Sequence, residues 1–129
     1  MQKQQPAQSR NTRQKAAIRE AFLHAGRPLS PEETVAIARC AIEVISLATV
    51  YRNIHSLIAE KWLVPVELPG QSTRYEIAGK AHHHHFQCND CGKLFELTGC
   101  EISAKPKLPR GFLATGHELF VYGKCAECR

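Results

Sequence analysis

His82-His83-His84-His85-Phe86-Gln87-Cys88-Asn89-Asp90-Cys91 packs four imidazoles and two thiols into ten consecutive residues. Imidazole and thiolate are both metal ligands. Phe86-Gln87-Cys88 reads as a strand that ends in a Cys knuckle, with the histidine run leading into it. Along an extended segment side chains alternate between faces, so His82 and His84 point one way while His83 and His85 point the other. One run can thus serve two separate metal sites. Candidate partners are Glu76 and Glu96 on flanking strands, and His117, Glu101 or Cys100 on the far side. Mixed nitrogen and oxygen ligands suit divalent zinc, iron, manganese or nickel, and load and unload more easily than four thiolates, which suits sensing. A purification tag is usually terminal, whereas this run is internal.

Toward the C-terminus, Cys125-Ala126-Glu127-Cys128 supplies a second C-x-x-C. Two knuckles with four thiolates leave no open position, which is the signature of a structural zinc whose binding is coupled to folding. Between the knuckles, Leu94-Phe95-Glu96-Leu97 reads as a return strand. Glu101 to Lys105 reads as a helical turn kept short by Pro106 and Pro109. Glu118-Leu119-Phe120-Val121-Tyr122 reads as the closing strand. Residues 79–129 are therefore expected to form a small α/β, zinc-stapled body that starts at a hinge, Gly79-Lys80-Ala81. Phe86, Phe95, Leu97, Leu119 and Val121 supply more apolar surface than so small a body can bury, and a homodimer interface is its natural use.

Toward the N-terminus the pattern is helical. Residues 1–11 are polar and aperiodic and read as a flexible arm. Ala17, Ile18, Ala21, Phe22 and Ala25 form an apolar stripe on a helix capped by Thr12 and stopped by Gly26. Ser30-Pro31-Glu32-Glu33 starts a second helix with a capping box, running to about Cys40, whose thiol is expected to pack in the interior. Ser46 caps a third helix with a buried stripe of Val50, Ile54, Leu57 and Ile58. Thr49, Tyr51, Arg52, His55 and Ser56 then fall nearer its outer face, a set suited to phosphates and base edges. Leu63 to Leu68 alternates apolar Val64, Val66 and Leu68, Pro69-Gly70-Gln71-Ser72 is a turn, and Thr73 to Ile77 is a second strand. Three short helices and a hairpin make a winged helix-turn-helix over residues 1–78, with the third helix in the major groove. The fold class is α+β.

The totals agree with a DNA-binding head on a metal-binding body. The 129 residues carry a formal charge of +5 and a pI near 9.0, favouring a polyanionic partner. Met1 to Arg13 has no apolar leader, and no apolar run approaches the roughly 20 residues of a spanning helix. The expected location is the cytoplasm, where six cysteines are ligands more often than disulfides. No enzyme is expected: there is no H-E-x-x-H, and no His-x-Glu precedes a Pro-Cys-x-x-Cys. The competing reading from another class is a zinc-binding metal buffer or interaction protein that binds no operator.

The chain resembles the ferric uptake regulator family of metal-dependent transcription factors. The resemblance runs from Thr12-Arg13-Gln14 to Cys128 and is carried by Ser46-Leu47-Ala48-Thr49-Val50-Tyr51-Arg52-Asn53, Arg74-Tyr75-Glu76, His82–His85 with Cys88-x-x-Cys91, and Gly116-His117-Glu118 through Cys128. It implies a dimeric repressor of a palindromic double-stranded operator, active when a divalent corepressor is loaded and controlling metal uptake or homeostasis. It implies Tyr51 and Arg52 on the recognition helix and Lys15 near the DNA backbone. Cys88, Cys91, Cys125 and Cys128 would hold structural zinc. Glu76, His83, His85 and Glu96 would hold the regulatory ion, Zn2+ or Fe2+ first and Mn2+ or Ni2+ next. His82, His84 and His117 would form a second site, with Glu101 or Cys100 in place of the usual carboxylate, which aligns with Ser103. The histidine that members often carry before the second helix is Pro28 here, so coupling to the head would rest on Glu76 or on a residue such as His24. The four-histidine run is closer to the zinc-sensing and haem-linked branches than to the iron-sensing one. A peroxide sensor of the same fold is the nearest alternative.

Overall fold

The structure, a computed structural model, describes residues 9–99 and 107–129. Contacts divide the chain into two units, Met1–Ala78 and Gly79–Arg129.

In the first unit, α1 spans Arg10–Ala25. Its cap is Ser9, not Thr12: the Ser9 hydroxyl accepts the Thr12 amide at 3.2 Å and lies 2.7 Å from the Thr12 hydroxyl. A cap oxygen needs an amide two or three residues onward, and Thr12 is the residue that supplies it. Arg10 and Asn11, read as part of an arm, therefore belong to the helix. Gly26 ends it with φ +60, donating its amide to the Phe22 carbonyl, a left-handed geometry that an L side chain resists.

The second helix, α2, spans Pro31–Ala38 and has both halves of the capping box. Glu33 donates its amide to the Ser30 hydroxyl at 3.1 Å, and Ser30 donates its amide back to the Glu33 carboxylate at 3.2 Å. The helix stops short of Cys40, which is exposed. The amides of Cys40 and Ala41 donate three residues back, to Ile37 and Ala38. Cys40 lies four residues after exposed Ala36, on the helix face opposite the stripe that buries Val35 and Ala38.

The third helix, α3, spans Leu47–Ala59 behind Ser46, whose hydroxyl accepts the Thr49 amide at 3.1 Å. Val50, Ile54 and Leu57 are fully buried and meet Ile18, Phe22, Leu29 and Leu63 in one core. Two strands complete the wing, β1 (Leu63–Val66) and β2 (Arg74–Ile77), antiparallel with Leu63 opposite Ile77 and Val66 opposite Arg74. Val64 is exposed while Leu63 is buried; Leu63 follows directly from α3 and is drawn into the helical core, which overrides simple alternation. Leu29 and Tyr75 exchange amide and carbonyl at 2.9 Å in both directions, so the α1–α2 connection adds a rung to β2 that no periodicity announced.

In the second unit β3 (His83–Cys88) lies between β4 (Leu94–Thr98) and β5 (Phe120–Gly123). β4 is antiparallel to β3, with His85 opposite Glu96 and Phe86 opposite Phe95. β5 is parallel to β3, with His85 beside Phe120 and Cys88 beside Gly123. The closing strand thus begins at Phe120 and not at Glu118. Among the described residues this unit has no helix; the expected turn at Glu101–Lys105 lies outside them. Register assigns His83, His85, Leu94, Glu96, Phe120 and Tyr122 to one face of the sheet. His84, Phe86, Cys88, Phe95, Leu97 and Val121 take the other.

Candidate metal centres and nucleic-acid face

The two Cys knuckles come together because β5 returns beside β3. Cys88 ends β3, and Gly123, its neighbour on β5, accepts the Asn89 amide at 2.7 Å, which leaves Cys125 two residues beyond. The sulfurs of Cys88, Cys91, Cys125 and Cys128 all lie within 4.8 Å of one another. Cys91 and Cys125 are 3.8 Å apart. A tetrahedron of thiolates about 2.3 Å from zinc has edges of about 3.8 Å, so the donor set and its spacing fit.

The thiols are tuned unequally. Backbone amides of Cys91 and Cys125, at 3.5 and 3.3 Å from the Cys88 sulfur, pull its pKa down to about 6. The sulfurs of Cys125 and Cys88, together with burial, push Cys128 up to about 12. Cys91 is raised as well: the Lys93 amide lowers it, and burial with the Cys88 and Cys125 sulfurs outweighs that. One thiolate is stable here by itself, and the full set of four requires a cation at their centre.

A second constellation lies at the other end of β3. The Nε2 of His82 is 3.2 Å from the Nε2 of His84 and 3.2 Å from that of His117. An imidazole nitrogen has one in-plane position, holding either a proton or a lone pair. It cannot hydrogen-bond to two neighbours in that plane at once. Three lone pairs converging on one centre explain the arrangement instead: ligands about 2.0 Å from an ion stand about 3.3 Å apart. Burial, and then the imidazoles of His82 and His117, lower the pKa of His84, which holds it in the neutral form that binds metal. His117 joins from the segment before β5. Glu101 and Cys100, the proposed completions of this site, lie outside the described residues.

His83 and His85 share the opposite face, with ring centroids 4.9 Å apart. The Nδ1 of His83 donates to the Ala81 carbonyl at 2.8 Å, which puts the ring's lone pair on Nε2. His85 stacks on Phe120 at 6.0 Å. Glu96 stands across from His85, and its carboxylate pairs with Lys80 at 2.7 Å. Glu76 belongs to the other unit, on β2 opposite Val64.

The outward face of α3 carries Tyr51, Arg52, His55 and Ser56, all exposed. Thr49 does not join them. It is 8% exposed, and its hydroxyl lies 2.9 Å from that of Ser46 and accepts from Arg52 at 3.2 Å. The third position after a cap faces back over the helix end, so Thr49 orients Arg52 and does not face outward. Lys15 donates to Ser56 at 3.2 Å and is ion-paired with Glu60, which Arg19 also reaches at 3.4 Å. The Lys15 contact, followed by the charges of Lys15 and Arg19, holds the Glu60 carboxyl below its ordinary pKa. Its fixed charge is thus largely balanced on the protein.

The ferric uptake regulator family model matches residues 6–122. The chain belongs to that family. The ferric uptake regulation protein of Helicobacter pylori is 30% identical over 123 residues, covering 93% of this chain and 82% of its own length. That of Campylobacter jejuni is 29% identical over 122 residues, covering 91% and 78%. The solved structure of the H. pylori regulator superposes with a TM-score of 0.64 at 30% identity, over 92% of this chain and 81% of that one.

Within this regulator, the cysteine tetrad and the His82-His84-His117 group were legible as ligand types, and the sheet supplied their geometry. Missed were Gln14 and Asn53, both buried polar residues. Asn53 donates to the Thr49 carbonyl one turn back at 2.9 Å, a use that no motif signals. Thr49 could have been found, since Ser46-x-x-Thr49 has cap spacing.

Proposed function

We propose that this chain is a metal-responsive transcriptional repressor, binding a palindromic operator as a homodimer in the cytoplasm when its regulatory divalent ion is loaded, and controlling metal uptake or homeostasis. The observation that carries the reading is membership of the ferric uptake regulator family in a chain whose imidazoles converge at 3.2 Å. The H. pylori relative is described as having three functional metal binding sites, and three groups are available here. Cys88, Cys91, Cys125 and Cys128 would hold structural Zn2+. His82, His84 and His117, with Glu101, would hold a second ion. Glu76, His83, His85 and Glu96 would hold the regulatory one, Zn2+ or Fe2+, with Mn2+ or Ni2+ as substitutes.

An ion at that last site supplies positive charge that makes one centre of a head residue and body residues. Glu76 would then tie the wing to His83 and His85, narrowing the head orientations to those in which two α3 helices enter successive major grooves. Taking the competent fraction from about 1% to 99% needs roughly 5.5 kcal/mol of differential ion affinity, shared between two subunits. Glu96 must leave Lys80 to join, so Lys80→Met is expected to tighten ion binding. Supporting this reading is the His83 tautomer, which presents Nε2 as the ligand atom.

The test is duplex retention titrated with several divalent ions and reversed by chelator, alongside elemental analysis of the purified protein. Glu76→Ala with His85→Ala should abolish ion-dependent retention and leave the zinc content of the cysteine site intact. A double variant that still shows an ion-dependent shift would remove this site assignment, and metal binding without retention of any duplex would favour a metal buffer.

A further inference from the structure

Glu96 already holds a cation of the chain's own. Its carboxylate accepts from the Lys80 ammonium at 2.7 Å, with the Lys80 side chain 27% and the Glu96 side chain 19% exposed. Both residues lie in the second unit, Lys80 just before β3 and Glu96 in the middle of β4. The segment that delivers Lys80 is held in place. Gly79 turns it with φ +83, and the Ala81 carbonyl accepts from His83 Nδ1 at 2.8 Å. Lys124 and Asp90 in the same unit are a contrast: they stand 3.5 Å apart at 63% and 44% exposure, where water and salt screen the pair.

Glu96 stands opposite His85 and shares a sheet face with His83. Leu94 on that face is fully buried, and Phe120 stacks on His85. In such half-apolar surroundings charges act on one another more strongly than in water. An ammonium and a divalent ion on one carboxylate therefore repel, and an ion that needs Glu96 must expel Lys80. Ions differ in that need. Zn2+ takes strong bonds from imidazole and is satisfied by four donors. Mn2+ binds imidazole more weakly, favours oxygen and fills about six positions.

We propose that Lys80 is a built-in rival for Glu96 that sets which divalent ion the regulatory centre accepts, favouring nitrogen-preferring ions over oxygen-preferring ones. It rests on the reading of Glu76, His83, His85 and Glu96 as that centre, and it adds a residue that binds no ion and still decides between ions. With Zn2+ the imidazoles and Glu76 carry most of the affinity, and Glu96 stays on Lys80. With Mn2+ both carboxylates are needed, and the Lys80 ammonium is released to solvent.

The test titrates Zn2+ and Mn2+ into the full-length protein, with its cysteine site zinc-loaded, against a chelator of known affinity. Binding lost in His83→Ala belongs to the centre. Lys80→Met should tighten Mn2+ by about fivefold, the size of a partly exposed ion pair, and Zn2+ by less than about twofold. Lys80→Arg should keep the wild-type preference. Lys107→Met, the same charge change at an exposed residue of the second unit, should leave it unchanged. In Glu96→Gln, Lys80→Met should do no more than Lys107→Met does. Amine labelling read by mass spectrometry gives a second signature: Mn2+ should speed modification of Lys80, and Zn2+ should not. Glu96→Gln that leaves Mn2+ binding at full strength overturns the site reading, and this one with it. If Glu96→Gln weakens Mn2+ but Lys80→Met shifts both ions equally, shifts neither or weakens Mn2+, this inference alone is overturned. Equal labelling of Lys80 with the two ions overturns it as well.

Discussion

Ser46 and Thr49 decide which way Arg52 points. The Ser46 hydroxyl closes the first turn of α3 by accepting the Thr49 amide, and the Thr49 hydroxyl accepts from Arg52. Ser46→Ala should cost about 1 kcal/mol in urea unfolding, the usual value of a cap, and should weaken duplex binding further by freeing Arg52. At the far end of α3, Glu60 joins Lys15 and Arg19. Its pKa is lowered in the folded chain. The tie is therefore fully present above the ordinary carboxylate pKa and is lost as pH falls through the lowered one. Glu60→Gln should melt below the wild type near neutrality, and the gap in Tm should close in acid.

At the scale of elements, α3 ends in a paired hydrogen-bond lock. Trp62 donates to the Leu57 carbonyl and Lys61 to that of Ile58, both at 2.9 Å. Lys61 sits in the middle at φ +61, a left-handed position normally filled by glycine. Lys61→Gly relieves that strain against glycine's greater chain entropy and should stabilise the chain by about 0.5–1 kcal/mol, read as a shift in denaturation midpoint at constant m. In β3, the two-residue period sends His82 and His84 to one face and His83 and His85 to the other. Moving the register by a single residue would exchange the two ligand sets, so the pairing of His85 with Glu96 and Phe120 matters more to the metal chemistry than any one imidazole does.

Across the whole molecule, the two units differ in what holds them together. The core of Ile18, Phe22, Leu29, Ile54, Leu57 and Leu63 lies wholly in the first unit. Among the described residues, the apolar side chains that the second unit buries are Leu94 and Cys88. A thiol-competent chelator under reducing conditions should therefore unfold the second unit first and leave most of the helical circular dichroism of α1–α3. A single cooperative loss of both signals would contradict this. The second unit also leaves Phe112 68% and Leu113 86% exposed, with Val121 and half-buried Phe86, Phe95 and Leu97 on one sheet face. On the proposed homodimer, Val121→Lys should shift sedimentation velocity toward the monomer and leave the zinc content unchanged.

Much of this was readable from local spacing. Caps, the capping box, the buried stripe of α3 and the C-x-x-C knuckles depend on residues three or four apart, and at that range backbone geometry leaves few alternatives. Local spacing was less reliable where a competing residue stood nearby, as when Ser9 displaced Thr12. Ligand types were likewise legible, but their grouping was not. His117 reaches His82, and Cys125 reaches Cys88, only because β5 returns parallel to β3. Gln14 and Asn53 are polar residues that no apolar stripe marks as buried. Sequence alone set which side chains could bind an ion or a phosphate, because that is a property of single groups. The tertiary structure decided which of them meet, because meeting depends on strand order and register, and these are settled by packing between segments far apart along the chain.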